Sequence, residues 1–160
     1  MSVNVSYRQA TVADCELLAH VRVEEFIEPK DMAEELKAKL YTRNKIYFKE
    51  ALGDGTFAAF LAFDGDRLAG TSGVIFYRIP PHFGNHTGKK ALIENMYTRP
   101  EYRCRGIATK LLSLCMEEAR RRGCGQAELW AADMARPIYE KYGFVEIKSE
   151  MEYGFKENNR

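Results

Sequence analysis

The chain has 160 residues, 46% of them apolar and 29% charged, with a formal net charge of +1. That length suits one domain with a real core, and the near-zero charge speaks against a general nucleic-acid or membrane-surface binder. No apolar run approaches bilayer length, and no N-terminal stretch combines a basic start, an apolar run and a small-residue cleavage site. Cys15, Cys104, Cys115 and Cys124 form no CxxC pair and read as reduced thiols of a cytoplasmic protein. His82 and His86 make an HxxxH in a loop without further ligands, so no metal is expected.

In chain order, Val3 to Arg8 alternates as a first strand. Thr11 then caps a helix, with Asp14 in the capping-box position and an apolar stripe of Leu17, Leu18, Val21 and Phe26, ended by Pro29. A charged second helix runs from near Asp31 through Leu36 and Leu40 to about Leu52. Gly53-Asp-Gly55 breaks it. Phe57 to Phe63, a turn at Asp64-Gly65-Asp66, and Leu68 to Ile79 predict a hairpin. Gly70 and Gly73 inside the second strand point to a bulge or a close backbone approach. Pro80 to Lys90 is a polar loop, long for a hairpin connection.

Ala91 to Gly123 carries the strongest signal. Ala91 to Tyr97 reads as a buried strand, and Arg103-Cys-Arg-Gly-Ile-Ala108 places two arginines and a glycine where a helix must begin. From Ile107 to Ala119 apolar residues recur at helical spacing, and Arg120 to Arg122 followed by Gly123 supply a C-terminal stop. The first N–H groups of a helix lack internal partners and favour negative charge. The turn is thus a pyrophosphate cradle on physical grounds, with a solvated surface turn as the even alternative. Glu94 sits in a strand expected to be covered on both faces, so its carboxylate needs a partner or a cleft. It reads as either a base or an ion-paired strand-end Glu. A short strand, Ala127 to Ala131, follows, then a helix from Arg136 to about Tyr142 stopped by Gly143. Phe144 to Tyr153 alternates as a last strand.

Arg103-x-x-Gly106-x-Ala108 resembles the acetyl-CoA pyrophosphate signature of the GCN5-related N-acetyltransferases, the GNAT family. The likeness extends upstream through Met96-Tyr-Thr-Arg-Pro-Glu-Tyr-Arg103 and downstream to Pro137-Ile-Tyr-Glu-Lys-Tyr-Gly-Phe144. The resemblance implies one α/β (α+β) domain over residues 1–160. Its mixed central sheet would have about six to seven strands flanked by four helices, splayed between the central strand and the next. It implies acetyl-CoA as co-substrate, with Arg103, Cys104, Arg105, Gly106, Ile107 and Ala108 on the pyrophosphate and Met96, Tyr97 and Thr98 along the pantetheine arm. The amine would attack the thioester directly. Tyr139 matches the family residue that donates to the departing thiolate. Glu94 matches a position that acts as general base in some members, which suits an alkyl amine of pKa about 10, only on the order of 0.1% neutral at pH 7.

Ala132 stands where many relatives carry an Asn that touches cofactor or substrate. The first two helices and the loop Pro80–Lys90 would build the acceptor side, where Glu24, Glu25, Glu28, Lys30, Glu34 and Glu35 give both signs of charge. A small-molecule amine is the expected acceptor. A protein N-terminus or lysine, and a catalytically silent acyl-CoA-binding domain, are the alternatives. Homodimers are common in the family.

Overall fold

A computed structural model describes residues 4–27 and 32–155, without the side chain of Ile27. The elements run β1 (Val5–Gln9), a 3-10 turn (Val12–Asp14), α1 (Cys15–Ile27), α2 (Glu34–Asp54), β2 (Phe57–Asp64), β3 (Arg67–Arg78) and β4 (Lys89–Thr98). A second 3-10 turn (Pro100–Tyr102), α3 (Ile107–Arg121), β5 (Gln126–Glu128) and α4 (Arg136–Tyr142) follow. The described residues form two compact units, 1–130 and 131–160, the masked termini aside.

The first unit holds a mixed sheet of order β1-β2-β3-β4-β5, antiparallel except for the parallel β4–β5 pair. Phe57 to Ala62 are all buried, as a strand covered on both faces requires. One face packs Phe57, Ala59 and Leu61 against Leu18 and Val21 of α1 and Phe48 and Ala51 of α2. The other receives α3, whose Ile107, Leu111, Leu112, Cys115 and Ala119 are buried at helical spacing. Ser72 Oγ of β3 donates to the Leu111 carbonyl at 3.3 Å, and the Cys115 thiol donates to Ser72 Oγ at 3.2 Å.

Both strand glycines mark close approaches. A Cβ on Gly73 would stand 2.3 Å from Phe57 Cζ, and one on Gly70 would stand 2.8 Å from the Tyr97 carbonyl oxygen. The β2–β3 register slips beside Gly70, between the Ala62 and Phe63 pairings. Asp14 accepts from the Thr11 N–H at 2.8 Å, the acid half of the expected capping box. Asn85 organises the loop before β4: its amide donates to the Lys89 carbonyl, while its Oδ1 accepts from Thr87 Oγ1 and the Gly88 N–H.

In the second unit α4 spans the expected Arg136–Tyr142 and ends on Gly143 at φ 117°. Tyr139 is buried, edge-on to Phe144 with ring centroids 6.0 Å apart.

Two expectations need correction. The strand expected over Ala127–Ala131 is only Gln126–Glu128, and Phe144 to Tyr153 forms no strand. The sheet therefore has five strands among the described residues, not six or seven. Alternation marks a face, but a strand exists only where a neighbour completes its ladder. Val145, Ile147, Met151 and Tyr153 are instead largely exposed. The first strand begins at Val5. The expected stop at Pro29 and helix start at Asp31 lie outside the described residues.

Candidate active site

The turn from β4 into α3 has the geometry of an anion cradle. Cys104 (φ 59°) and Gly106 (φ 79°) are both left-handed, which turns successive backbone amides toward one side. Gly106 is the N-cap of α3 and offers no capping side chain, and the first backbone bond back to it comes from Lys110 N–H. The N–H groups of Ile107, Ala108 and Thr109 thus precede any intrahelical acceptor. A Cβ on Gly106 would meet nothing within 4 Å, so its value there is backbone conformation together with an open approach. Cys104, Arg105 and Gly106 are exposed, and Ile107 anchors the turn in the core. Arg103 Nε donates to the Thr98 carbonyl at 3.0 Å, tying the cradle to the end of β4. Its guanidinium stands 5.9 Å from the Tyr97 ring centroid, and that of Arg105 stands 5.8 Å from the Tyr102 ring centroid.

β4 has an edge beside this cradle. It pairs with β5 only at Lys90, Ala91 and Leu92, and β5 stops at Glu128. The stretch Met96, Tyr97, Thr98 therefore runs past the last β5 partner, at the place where the family resemblance implied a splay. Lys90 and the Tyr77 hydroxyl both bond Glu128 at that last paired position, fixing where the two strands part.

Opposite, β4 bulges. Thr71 pairs with Tyr97 but Gly73 pairs with Glu94, so two residues, Asn95 and Met96, face Ser72 alone. Asn95 adopts φ 56°, and Thr71 Oγ1 donates to its carbonyl at 3.0 Å. Successive strand residues normally face opposite sides. Here Glu94 and Asn95 both line one cavity of about 290 Å3, which Arg22 of α1 and Tyr47 and Phe48 of α2 also bound.

Charge in that cavity centres on Arg22. Its Nη1 lies 3.2 Å from Glu94 Oε2 and 3.1 Å from Glu25 Oε2, with the guanidinium 4.5 Å from the Phe26 ring centroid. Glu94 is thus paired, as a carboxylate in a covered strand must be. Burial pushes the Glu25 carboxyl above its ordinary range, against the opposing pull of Arg22. Burial likewise raises the Tyr47 phenol, with the Glu94 charge acting in the same direction.

This first unit brings together Glu94, Met96, Tyr97, Thr98 and the whole 103–108 turn. Tyr139 belongs to the second unit. Sequence reasoning missed Arg22, Tyr47 and Asn95. An Asn inside an apolar strand, next to a Glu, was the available signal for Asn95. Of the described acids expected on the acceptor side, only Glu25 joins the cavity network: Glu24 holds Arg99 at 2.9 Å, while Glu34 and Glu35 pair with Lys37 and Lys39 along α2. Glu28 and Lys30 lie outside the described residues.

Residues 18–144 match the acetyltransferase (GNAT) family, from α1 through the cradle to the end of α4. The chain belongs to this family. A predicted acetyltransferase from Clostridium acetobutylicum, solved with acetyl-CoA, is 31% identical, with a TM-score of 0.84 over 94% of this chain and 96% of that one. Thialysine N-epsilon-acetyltransferase of Mus musculus is 32% identical over 39% of this chain and 37% of its own length. An acetyltransferase of Agrobacterium fabrum is 42% identical over 40% of this chain and 48% of its own. The chain thus matches less than half the length of these curated relatives.

Proposed function

We propose that this GNAT protein transfers an acetyl group from acetyl-CoA to a primary amine of a small molecule. The observation that carries the reading is the doubly left-handed Cys104–Gly106 turn at the uncapped start of α3, next to a β4 edge that outruns β5. That donor set fits a pyrophosphate followed by an extended amide-bearing arm. Backbone amides from Cys104 to Ala108 hold the phosphates, Arg103 and Arg105 offset their charge, and Met96 to Thr98 pair with the pantetheine amides as an added strand would.

Acetyl-CoA supplies the activated acyl group when bound. The chain's own residues handle the protons. Glu94 Oε2 takes the proton of the incoming ammonium, and the same ammonium replaces Arg22 as its counter-ion. A backbone N–H at Met96 or Tyr97, beside the bulge, donates to the carbonyl oxygen. The Tyr139 hydroxyl donates to the departing sulfur. The cavity volume of about 290 Å3 falls just below the roughly 300–1,000 Å3 of drug-sized sites, which favours a small acceptor over a protein tail.

An acetyl-transfer screen over amino alcohols, amino acids, polyamines, aminoglycosides and peptide N-termini, reading thiol release, tests this. Turnover with a small amine is expected. Tight acetyl-CoA binding with no release across the panel would leave only a binding domain.

A further inference from the structure

We infer that Glu24 and Arg99 are positioning residues. Their ion pair couples the β4 edge, where the acyl donor's arm would lie, to helix α1 beside the acceptor cavity, so that the two substrates bind cooperatively. This rests on the transfer reaction proposed above and adds the link between its two substrate sites.

Helix α1 grips one short segment of chain at both of its ends. Arg22 meets Glu94 at 3.2 Å, and two residues along the helix Glu24 meets Arg99 at 2.9 Å. Between these anchors lie Asn95 to Thr98, which are the bulge and the edge that outruns β5. The second anchor is fixed at many points. Arg99 Nε and Nη2 donate to the two Glu24 carboxylate oxygens at 3.2 and 2.9 Å, and Nη1 donates to the Leu68 carbonyl at 3.2 Å. The Arg99 backbone N–H donates to the Ala69 carbonyl at 3.0 Å, and its own carbonyl accepts from the Tyr102 N–H at 2.9 Å, in the turn leading to the cradle. A single-contact surface pair contributes little, but a two-pronged fork held from several sides keeps one geometry. Glu24 and Arg99 stand 75 positions apart in sequence, so the pair joins distant elements and supports no local turn or helix.

The coupling follows from what an added strand does. Past Leu92 the strand β4 has β3 on one side and no β5 partner on the other. Pairing along Met96 to Thr98 would restrict this stretch and, with it, Arg99 one residue further on. Glu24 carries that restriction into α1, where Arg22 bounds the acceptor cavity. A second ligand then meets a site whose ordering cost is already partly met, which is positive cooperativity without a change of shape. Binding free energies are linked, so the acceptor amine must tighten CoA binding by the same factor.

Hydrogen exchange on the full chain, with and without CoA, tests the link with no amine present. In the wild type CoA should slow exchange at residues 96–98 and also in α1 between His20 and Ile27. Glu24→Gln keeps the shape of a half-exposed side chain, and thermal melts check that it folds. It should leave CoA affinity, read by calorimetry, within about two-fold and keep the protection at 96–98, while the α1 response to CoA disappears. A merely structural pair would loosen α1 equally with and without CoA and leave that response in place. Arg99→Gln should abolish the α1 response too, and the double variant should lose no more than Arg99→Gln, because the two side chains act through each other. With the fastest amine from the acetyl-transfer screen and saturating acetyl-CoA, Glu24→Gln should raise the amine KM about five-fold, the low end of coupling between sites, with kcat little changed. An α1 that ignores CoA in the wild type, a response that survives Glu24→Gln, or additive losses in the double variant would overturn the inference. CoA-dependent protection of α1 without thiol release for any amine would instead count against the transfer reaction and leave the link standing.

Discussion

At the scale of single residues, three side chains do different electrostatic work. Glu118 of α3 is nearly buried and pairs with Arg121 at 2.6 Å and Arg122 at 2.7 Å. The Arg121 bond, and then Arg122, hold its carboxyl below the ordinary 4.5 against the opposing effect of burial. A lowered folded pKa stabilises the native state above the unfolded value, and that stabilisation is lost as pH falls through the folded one. Glu118→Gln should therefore lower the thermal midpoint at neutral pH, and the difference from wild type should start to shrink as pH falls below about 4.5 and vanish only below the lowered folded value. A difference constant with pH would show that Glu118 acts through packing instead. Tyr139 is the second case. With the proposed donor role, Tyr139→Phe should cut kcat about a hundred-fold or more while leaving KM for acetyl-CoA nearly unchanged. Steady-state kinetics at saturating amine checks it. Glu94→Gln, the third, should slow turnover chiefly below the pKa of the acceptor amine; a pH–rate profile of unaltered shape would remove Glu94 as the base.

At the scale of elements, β4 is held between a bulge on one side and a missing neighbour on the other. Gly70 sets how closely β3 lies against it. Because the atom a new Cβ would strike there is the Tyr97 backbone oxygen, no side chain can swing aside to relieve the clash. Gly70→Ala should cost about 1–3 kcal/mol in denaturant unfolding, as overpacking does. It should also weaken acetyl-CoA binding, because Tyr97 and Thr98 form the edge that would pair with it. Stability lost without any change in affinity would show that β4 yields elsewhere.

The same elements show what sequence could and could not disclose. α3 was legible end to end, since its apolar stripe, its glycine start and Gly123 are all local signals. So was α4, bounded by Pro137 and Gly143. The hairpin followed from the Asp64-Gly65-Asp66 turn between two apolar runs. Gly70 and Gly73 flagged close approaches, but not that the larger bulge lies across the ladder in β4 at Asn95. Register is a property of two strands, and one strand's letters do not hold it. For the same reason the alternation of residues 144–153 overstated the strand count. In the site, the cradle was legible because it is contiguous. The Arg22–Glu25–Glu94 cluster was not, because it joins residues far apart in the chain.

At the scale of the whole molecule, the described chain falls into a large first unit with the cradle, the β4 edge and the cavity, and a small second unit with Tyr139. A ligand that binds only the native state stabilises it by mass action, about 2.7 kcal/mol at a hundred times Kd. Acetyl-CoA at that excess should raise the melting temperature by roughly 5–10 °C for a chain of this size. Hydrogen exchange should slow at residues 104–108 on binding. A thermal shift without protection there would move the cofactor elsewhere.

The four thiols are unequally placed. Cys15 and Cys115 are buried, with the Cys115 thiol pushed up to about 12 by that burial, and Cys124 is partly covered. Of the four, Cys104 alone is exposed, and it forms the left-handed rim of the cradle. A small alkylating reagent thus has a built-in footprinting handle: the adduct forms where phosphates would lie, and CoA should shield it. Peptide mass mapping of labelled protein, with and without CoA, then reads occupancy directly, with no amine and no turnover required. The same thiol warns that colorimetric thiol-release assays need an enzyme-only blank.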